Sequence, residues 1–416
     1  MISKNSVRTS ATLLLAVIVL PALFACSINA AEITIQAGQY HRPAGPAWFS
    51  AKELDSNKSY NLVGANGKAI PIQVDHKGRW WLWAPEMKTG ENMICRVESV
   101  QKHAQLVELK KVKDDLINVT IDGELFTALN YGKDSQKPFL YPVIGPTGAG
   151  VTRNYPMKQV PFEGTKRRDH PHHQSMWAAW GDLRTGDFKK PGTNYWHRPK
   201  KKPENVGRQQ VRSIIRMVSG PVFGQLEIQI DWCTGDGKRE MAENRTYTFF
   251  RADANNRIID VKNIFSFPEG DVMFADTKEG GIVCLRIATS MDEVEGGRMF
   301  NSKGQEGAKQ CWGQAAEWCD YVGPVEGKTV GIAIMDAKTN FRHPTRWHIR
   351  NYGLYTANPF GLSYFVGKEH DGSKIWKKGE SARFNYRVLI HKGDTKAAHV
   401  SDQYQNYIQP VTVIIK

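Results

Sequence analysis

Three of the chain's twelve histidines lie within four residues, at His170, His172 and His173. Asp169 directly precedes them, and Trp177 follows four residues later. Histidine titrates closer to neutral pH than any other side chain and is the commonest metal ligand. A carboxylate beside an imidazole fixes its tautomer and frees the second nitrogen as acid, base or ligand. The cluster therefore predicts a site that moves protons, binds a metal or holds a polar ligand.

The histidine cluster lies between two loop-like segments, and Pro171 disfavours helix at His170. If the cluster is extended, alternation places His170 and His172 on one face and His173 on the other. We therefore expect His170, His172 and His173 to supply general acid–base groups, with Asp169 orienting one of them.

Two later segments are candidates to complete this site. Residues 276–279 carry three charged side chains before an apolar run, and Glu279 would suit a complementary acid or base whose pKa Lys278 can tune. Residues 341–360 interleave histidines and arginines with aromatic residues, which suits carbohydrate and anionic groups. The substrate-binding candidates are Lys278, His343, Arg346, Trp347, His348, Tyr352 and Asn358.

The same residue types leave a metal site open as an alternative. His170, His172, His343, His348 and Glu279 are standard ligands, but their spacing matches no established zinc pattern. The chain also contains no Gly-x-Ser-x-Gly motif, Walker loop or dinucleotide fingerprint. We therefore predict no cofactor and assign no metal ligand.

The elements that must position these residues are predicted to be β-strands. Short runs alternate polar and apolar residues, as at 225–232, and Gly, Asp and Asn separate them. This pattern predicts an all-β protein, with a large antiparallel β-sandwich over residues 110–395. A small N-terminal β domain over 31–105 would precede it, and 396–416 would form a C-terminal tail. Within the small domain, Trp80, Trp81 and Trp83 suit either a core or contact with a glycan.

The first 30 residues have the layout of a secretory signal peptide, with a basic start, an apolar stretch and small residues. Residues 23–26 resemble a lipobox, so a lipid anchor at Cys26 and ordinary cleavage between residues 25 and 31 are both open. No later run approaches the roughly 18 apolar residues of a membrane-spanning helix. We therefore expect an exported protein that is periplasmic, secreted or lipid-anchored.

The net charge indicates which binding partners to expect, and the cysteine count indicates whether disulfide bridges form. The net charge of +14 favours acidic partners such as an anionic polysaccharide, while the chain carries no nucleic-acid-binding motif. The densest basic run, residues 197–202, is predicted to be a solvated loop. Five cysteines remain after Cys26, an odd number, so the expectation is buried thiols or a single bridge with Cys311 and Cys319 as the nearest pair.

Taken together, the segments resemble the PmoA family of exported bacterial proteins. The matching stretches are residues 169–173, 177–182, 276–281, 343–348 and 357–360, within roughly 116–391. The resemblance implies an uncharacterised protein of carbohydrate utilisation and a sandwich of the galactose-mutarotase type. The family label names a methane-oxygenase subunit, an integral membrane enzyme, which the lack of membrane-spanning segments contradicts.

These observations lead to one expected function and two alternatives. We expect an exported carbohydrate-active enzyme of the glycoside hydrolase, lyase or epimerase type, using histidine and glutamate as general acid and base. The first alternative is a non-catalytic glycan-binding surface protein. The second is a histidine-rich metal-dependent enzyme.

Overall fold

The computed structural model describes residues 32–163, 168–198 and 205–415. The predicted signal peptide and Cys26 lie outside the described residues. Antiparallel strands make up most of the described chain, which confirms the prediction of an all-β protein. In this part of the chain, every helix is too short or too polar to cross a membrane.

The described residues form 26 strands and a few short helices. The strands of the first half are β1 (Glu32–Gln36), β2 (Gly45–Ser50), β3 (Ser59–Gly64), β4 (Ala69–Val74), β5 (Arg79–Ala84), β6 (Asn92–Val100), β7 (Val107–Lys113), β8 (Leu116–Ile121), β9 (Glu124–Asn130), β10 (Phe139–Val143), β11 (Met176–Trp180), β12 (Leu183–Thr185) and β13 (Arg208–Val218). Those of the second half are β14 (Phe223–Cys233), β15 (Arg239–Phe250), β16 (Asn256–Ser266), β17 (Val272–Phe274), β18 (Gly280–Arg286), β19 (Arg298–Asn301), β20 (Trp318–Val325), β21 (Lys328–Asp336), β22 (Trp347–Ile349), β23 (Leu354–Ala357), β24 (Lys374–Trp376), β25 (Ser381–Lys392) and β26 (Thr412–Ile415). The α-helices are α1 (Ala308–Cys311), α2 (Leu362–Phe365) and α3 (Val400–Ile408), and single 3₁₀ turns occur at Pro161–Glu163, Thr289–Met291 and Glu293–Glu295.

Seven strands form the N-terminal sheet, in the order β2-β5-β4-β3-β6-β1-β26. Its last strand comes from the end of the chain and pairs with β1, with Ile33 opposite Ile415. The residues expected to be only a tail therefore form α3 and an edge strand of this sheet. The division of the chain into domains stays a prediction.

Two eight-stranded sheets form the sandwich. The front sheet has the order β22-β23-β18-β11-β10-β9-β8-β7, and the back sheet has the order β13-β14-β15-β16-β25-β21-β20-β19. Their inner faces share one hydrophobic core, in which Ile117 and Val119 of the front sheet join Leu226 and Ile228 of the back sheet. The alternation that predicted the strands also supplies this core, since every second side chain points inward. A third, three-stranded sheet has the order β12-β17-β24.

One row of paired residues crosses the outer face of the front sheet. Successive strands place its members opposite one another, namely Phe139, Trp177, Cys284, Thr356 and His348. Phe139, Trp177 and Cys284 belong to a small cluster separate from the main core. Because side chains alternate along a strand, Trp347 and Tyr355 point the other way, into the main core. The outer row forms the base of the candidate site.

The cysteines of the described chain are buried and free. They are Cys95, Cys233, Cys284, Cys311 and Cys319. No bridge joins Cys311 to Cys319, so these thiols serve as small apolar core residues.

Candidate active site

The histidine motif forms a tight turn, so its side chains do not alternate between two faces. The amide of His173 donates to the carbonyl of His170 at 2.9 Å, and His170 has a φ of 44°. The turn brings the three imidazoles together: the ring of His173 lies 4.9 Å from that of His170 and 4.4 Å from that of His172. Side chains alternate between two faces only where the chain is paired in a sheet. The histidine motif lies before β11, which begins at Met176, and is not part of a strand.

Asp169 anchors the turn to two buried arginines. Its Oδ1 accepts hydrogen bonds from Arg153 at 2.6 Å and Arg286 at 3.1 Å, and its Oδ2 accepts one from His170 Nδ1 at 2.6 Å. Partial burial alone would raise the pKa of Asp169, but the His170 hydrogen bond and the positive charges hold that pKa well below its usual range. Asp169 therefore orients His170.

His170 is left with one accessible ring nitrogen. Nδ1 is committed to Asp169, so Nε2 remains for a ligand, and the side chain is 40% exposed. The ring of Tyr352 stacks on His170 at 5.2 Å, and the guanidinium of Arg286 lies 4.7 Å from the Tyr352 ring centre. An imidazole held this way by a carboxylate suits a general base or acid.

His172 and His173 are buried and neutral near physiological pH. Burial, aided by nearby positive charges including Lys137, lowers the pKa of His172 to about 2, and burial lowers that of His173 well below its usual value. Arg286 donates to His173 Nδ1 at 3.3 Å, which places the His173 proton on Nε2. Neither histidine can hold the labile proton that the predicted acid–base role requires.

A second imidazole–carboxylate pair joins His197 to Glu279. His197 Nε2 lies 2.9 Å from Glu279 Oε2, and the Asn194 amide donates to His197 Nδ1 at 3.1 Å. The Asn194 contact makes Nδ1 the acceptor, so the proton of neutral His197 sits on Nε2, the nitrogen that lies 2.9 Å from Glu279. A hydrogen bond from His197 lowers the pKa of Glu279, against the opposing effect of burial. The side chains are 40% and 33% exposed, so a ligand can reach both.

His172 lies next to both pairs. Its ring centre is 5.6 Å from that of His170 and 4.7 Å from that of His197. The site thus contains two half-exposed groups able to move protons, His170 and Glu279, with a neutral imidazole close to both.

His348 and Asn358 hold the segment that carries Glu279 by hydrogen bonds to its backbone carbonyls. His348 Nδ1 donates to the carbonyl of Lys278 at 2.5 Å, and the Asn358 amide donates to the carbonyls of Thr277 and Lys278 at 3.0 and 3.2 Å. Burial lowers the pKa of His348 to about 3, so it is neutral. Asn358 is fully buried. It positions the loop and does not contact a ligand, contrary to expectation.

The other predicted substrate-binding residues are dispersed. Trp347 is wholly buried in the main core, because strand alternation turns it away from His348. His343 Nδ1 lies 2.8 Å from Asp336, which ends strand β21 of the back sheet. Arg346 donates to the carbonyl of Gly313 at 2.7 Å. Lys278 extends over the ring of Tyr364 at 5.7 Å, at the side of the site.

Several residues of the site were not predicted from the sequence. They are Lys137, Arg153, Trp196, His197, Arg286 and Trp312. Trp196 packs against His173 at 5.3 Å and against Trp177 at 5.7 Å. The adjacent Trp196 and His197 were a readable signal, but the basic run that begins at His197 led to the prediction of a solvated loop. Residues 199–202 of that run lie outside the described residues.

Buried polar atoms without a hydrogen-bond partner in the described chain surround the site. They are Gln174 Oε1, Trp177 Nε1, Glu279 Oε2, Arg286 Nε and His348 Nε2. Native proteins leave few such atoms, since each costs about 1–3 kcal/mol. Two of these atoms donate and three accept, and all of them are shielded from solvent.

Lys137 is a buried amine next to Trp196 and Trp177. Its side chain is inaccessible, Nζ donates to the carbonyl of Trp196 at 3.1 Å, and burial lowers the pKa to about 7. Because this folded-state pKa lies below the unfolded value of about 10.4, the stability of the protein should rise as the pH rises between these two values. We expect Lys137→Met to remove up to about 4 kcal/mol of that rise, measured by denaturant unfolding at several pH values. The exposed Lys133→Met is the control, and an unchanged pH dependence in Lys137→Met would refute the assignment.

Comparison with known proteins gives a family and a distant structural similarity. Residues 116–405 match the model of a family described as a family of unknown function, DUF6807. None of the curated proteins compared matches the chain. Among solved structures, galactose 1-epimerase from Lactobacillus acidophilus NCFM aligns with 69% of this chain and 98% of its own, at 8% identity and a TM-score of 0.30. That score is too low to support an argument, so the architecture is taken from the strand pairing alone.

Proposed function

This chain belongs to the DUF6807 family of unknown function, and we propose that it is an exported carbohydrate-active enzyme that works by general acid–base catalysis. His170, oriented by Asp169, and Glu279, paired with His197, are the proton-transfer groups. The observation that carries the proposal is the placement of these two half-exposed pairs beside the neutral ring of His172. An imidazole and a carboxylate placed in this way can act as acid and base on one substrate.

The surroundings of the two pairs favour a sugar as the substrate. Tyr352, which is only partly buried, presents aromatic surface at the histidine turn, and the apolar C–H face of a sugar ring packs on such surface. At the other end, Trp312 contacts His348 at 5.0 Å and lies under the guanidinium of Arg350 at 4.2 Å.

The carboxylates favour an epimerase or lyase over a two-carboxylate glycoside hydrolase. Such hydrolases need one carboxylic acid that is protonated and a second that acts as nucleophile or base. Asp169 is held by two arginines and by His170, and its pKa lies far below its usual range, so it cannot donate a proton at neutral pH. Glu279 then shares the proton transfers with an imidazole.

The proposal uses no metal and no cofactor. Both pairs are direct imidazole–carboxylate contacts. Among the described residues, one cluster has the spacing of a metal site: His41, His399 and Asp402 each offer a ligand atom within 4.8 Å of the others. This cluster lies outside the histidine turn. Export rests on the signal-like first 30 residues and on the resemblance to the PmoA proteins, with periplasmic, secreted and lipid-anchored forms all included.

The test is a panel of neutral and acidic oligosaccharides incubated with the protein in deuterated water. An epimerase that removes and returns a carbon-bound proton would change the ratio of epimers and leave deuterium on that carbon. An enzyme that interconverts anomers would change their ratio without deuterium on carbon, and a lyase would form an unsaturated product. New reducing ends without these changes would indicate a hydrolase and contradict the role given to Asp169. Saturable binding without any product would contradict the proposed enzymatic function and support the alternative of a non-catalytic glycan-binding protein.

A further inference from the structure

A second concave site lies where the N-terminal sheet meets the outer face of the back sheet. It is a cleft of about 590 Å³. Strands β2 and β5 form one wall, while β14, β15, β16 and β25 form the base. Trp81 joins the two parts by packing on Phe223 and Phe250 at 6.1 and 5.6 Å. Because the histidine site lies on the front sheet, the cleft is on the opposite side of the sandwich.

Strand register explains why polar side chains line the cleft. Across the back sheet, Glu227 pairs with Thr246, Thr246 with Lys262, and Lys262 with Asn385. The inward-facing neighbours on these strands fill the main core, so this row points outward. Arg383 lies two residues before Asn385 on β25 and faces the same way.

The cleft carries more positive charge than its own acids neutralise. Among its lining residues, Arg79 pairs with Asp75 and Arg387 pairs with Asp260. Four further cations have no carboxylate within ion-pair distance in the described chain, and they are Lys77, Lys262, Lys338 and Arg383. These charges oppose one another: after burial, which is the main cause, Lys77 and Arg383 further lower the pKa of Lys262. A bound anion would relieve this repulsion.

An exposed aromatic ring stands beside these charges. Trp48 is 42% exposed, pairs across the strands with Trp81, and packs under the Arg79 guanidinium at 5.1 Å. A tryptophan face next to free cations is suited to a sugar ring that carries a carboxylate or sulfate. Of the tryptophans considered in the sequence, Trp80 is in the core of the N-terminal sheet, while Trp81 serves as a wall of the cleft.

We propose that this cleft is a binding site for acidic oligosaccharides, separate from the catalytic site. Lys262, Arg383, Lys77 and Lys338 would hold carboxylate or sulfate groups, and Trp48 would pack on a sugar ring. The inference rests on the proposed function only in taking carbohydrate as the ligand. Its role would be to retain an acidic polymer at the protein while the opposite face acts on it.

Binding of a galacturonic acid trisaccharide to the full mature chain tests the site by calorimetry. We expect saturable binding that weakens as salt rises from about 0.05 M to about 0.5 M, since screening shortens the range of these charges. A neutral galactose trisaccharide should bind at least about tenfold more weakly, because it cannot use the cations. Equal binding of the two trisaccharides, or binding that does not respond to salt, would overturn the proposal.

Paired variants separate this site from other basic surface. The double variant Lys262→Gln with Arg383→Gln, and Trp48→Ala, should each weaken binding by about tenfold or more. Lys110→Gln with Lys113→Gln removes two exposed charges from β7 and should leave the affinity unchanged. An equal loss in the control would indicate non-specific attraction to a basic protein. Because the assay measures binding without turnover, an inactive histidine site leaves its result intact, and a failed cleft leaves the enzyme proposal standing.

Discussion

Replacement of Glu279 by glutamine is expected to lower turnover by about 10²–10⁴-fold, the range lost when a general acid or base is removed. The amide keeps the shape of the side chain and can still accept a hydrogen bond from His197, but it cannot take up a proton. Substrate affinity should change much less than turnover, because the aromatic surfaces and His172 remain. The measurement is kcat and KM on whichever substrate the oligosaccharide panel identifies.

The pH dependence of the same reaction ties this effect to Glu279. Since the hydrogen bond from His197 is the main cause of the lowered pKa of Glu279, His197→Leu, which has no donor, should raise that pKa. A general base must be ionised, so the acidic limb of the kcat/KM profile should move to higher pH in His197→Leu. An acidic limb that stays in place would assign the titration to another group.

A matched pair on the N-terminal sheet supplies the control. Glu86 also contacts a histidine, His41, at 3.1 Å, but it is exposed and far from the front sheet in the fold. Glu86→Gln should therefore keep full turnover. Full turnover in Glu279→Gln would remove Glu279 from the mechanism and leave the His170–Asp169 pair as the only proton-transfer group of the proposal.

The strands were predictable because alternation is a local property. The run at 225–232 predicted a strand, and β14 covers Phe223–Cys233. Pairing between distant strands is not local, so the sequence did not predict that Trp177, Cys284 and His348 share one row. The same limitation explains the error at Trp347: one residue separates a side chain at the site from one in the core, and the register decides which is which.

The sequence predicted which residue types form the site, but it did not predict which residues contact one another. Asp169, His170 and Glu279 lie at one site, but partners such as Arg286 and His197 are distant from them in sequence. Arg286 lies 117 residues from Asp169 along the chain. No pattern around the histidine motif indicates such an anchor, and without it the turn at His170 has no evident cause. The burial that makes His172 and His173 neutral likewise depends on packing by other strands.

This anchor leads to a stability prediction, because Arg153 and Arg286 are almost fully buried beneath Asp169. Asp169→Asn would remove a carboxylate that forms ion pairs with two buried guanidinium groups, which is the costly way to break a buried ion pair. Asp169 is itself 37% exposed and partly screened, so we expect the lower end of the usual range, about 3 kcal/mol of unfolding free energy at pH 7. Denaturant unfolding measures it. Asp122→Asn, which breaks the exposed pair with Arg251, should cost less than about 1 kcal/mol.

The sign of the pH effect distinguishes this ion pair from simple packing. The folded-state pKa of Asp169 lies below its unfolded value of about 3.9, so its stabilising effect is complete above that value and is lost as the pH falls. The stability difference between the native protein and Asp169→Asn should therefore shrink in acid, while a packing defect would persist. If the difference at pH 3 equals that at pH 7, ionisation of Asp169 does not hold the turn. The orientation of His170 would then need another cause. The His170 half of the proposed acid–base site would lose its structural basis.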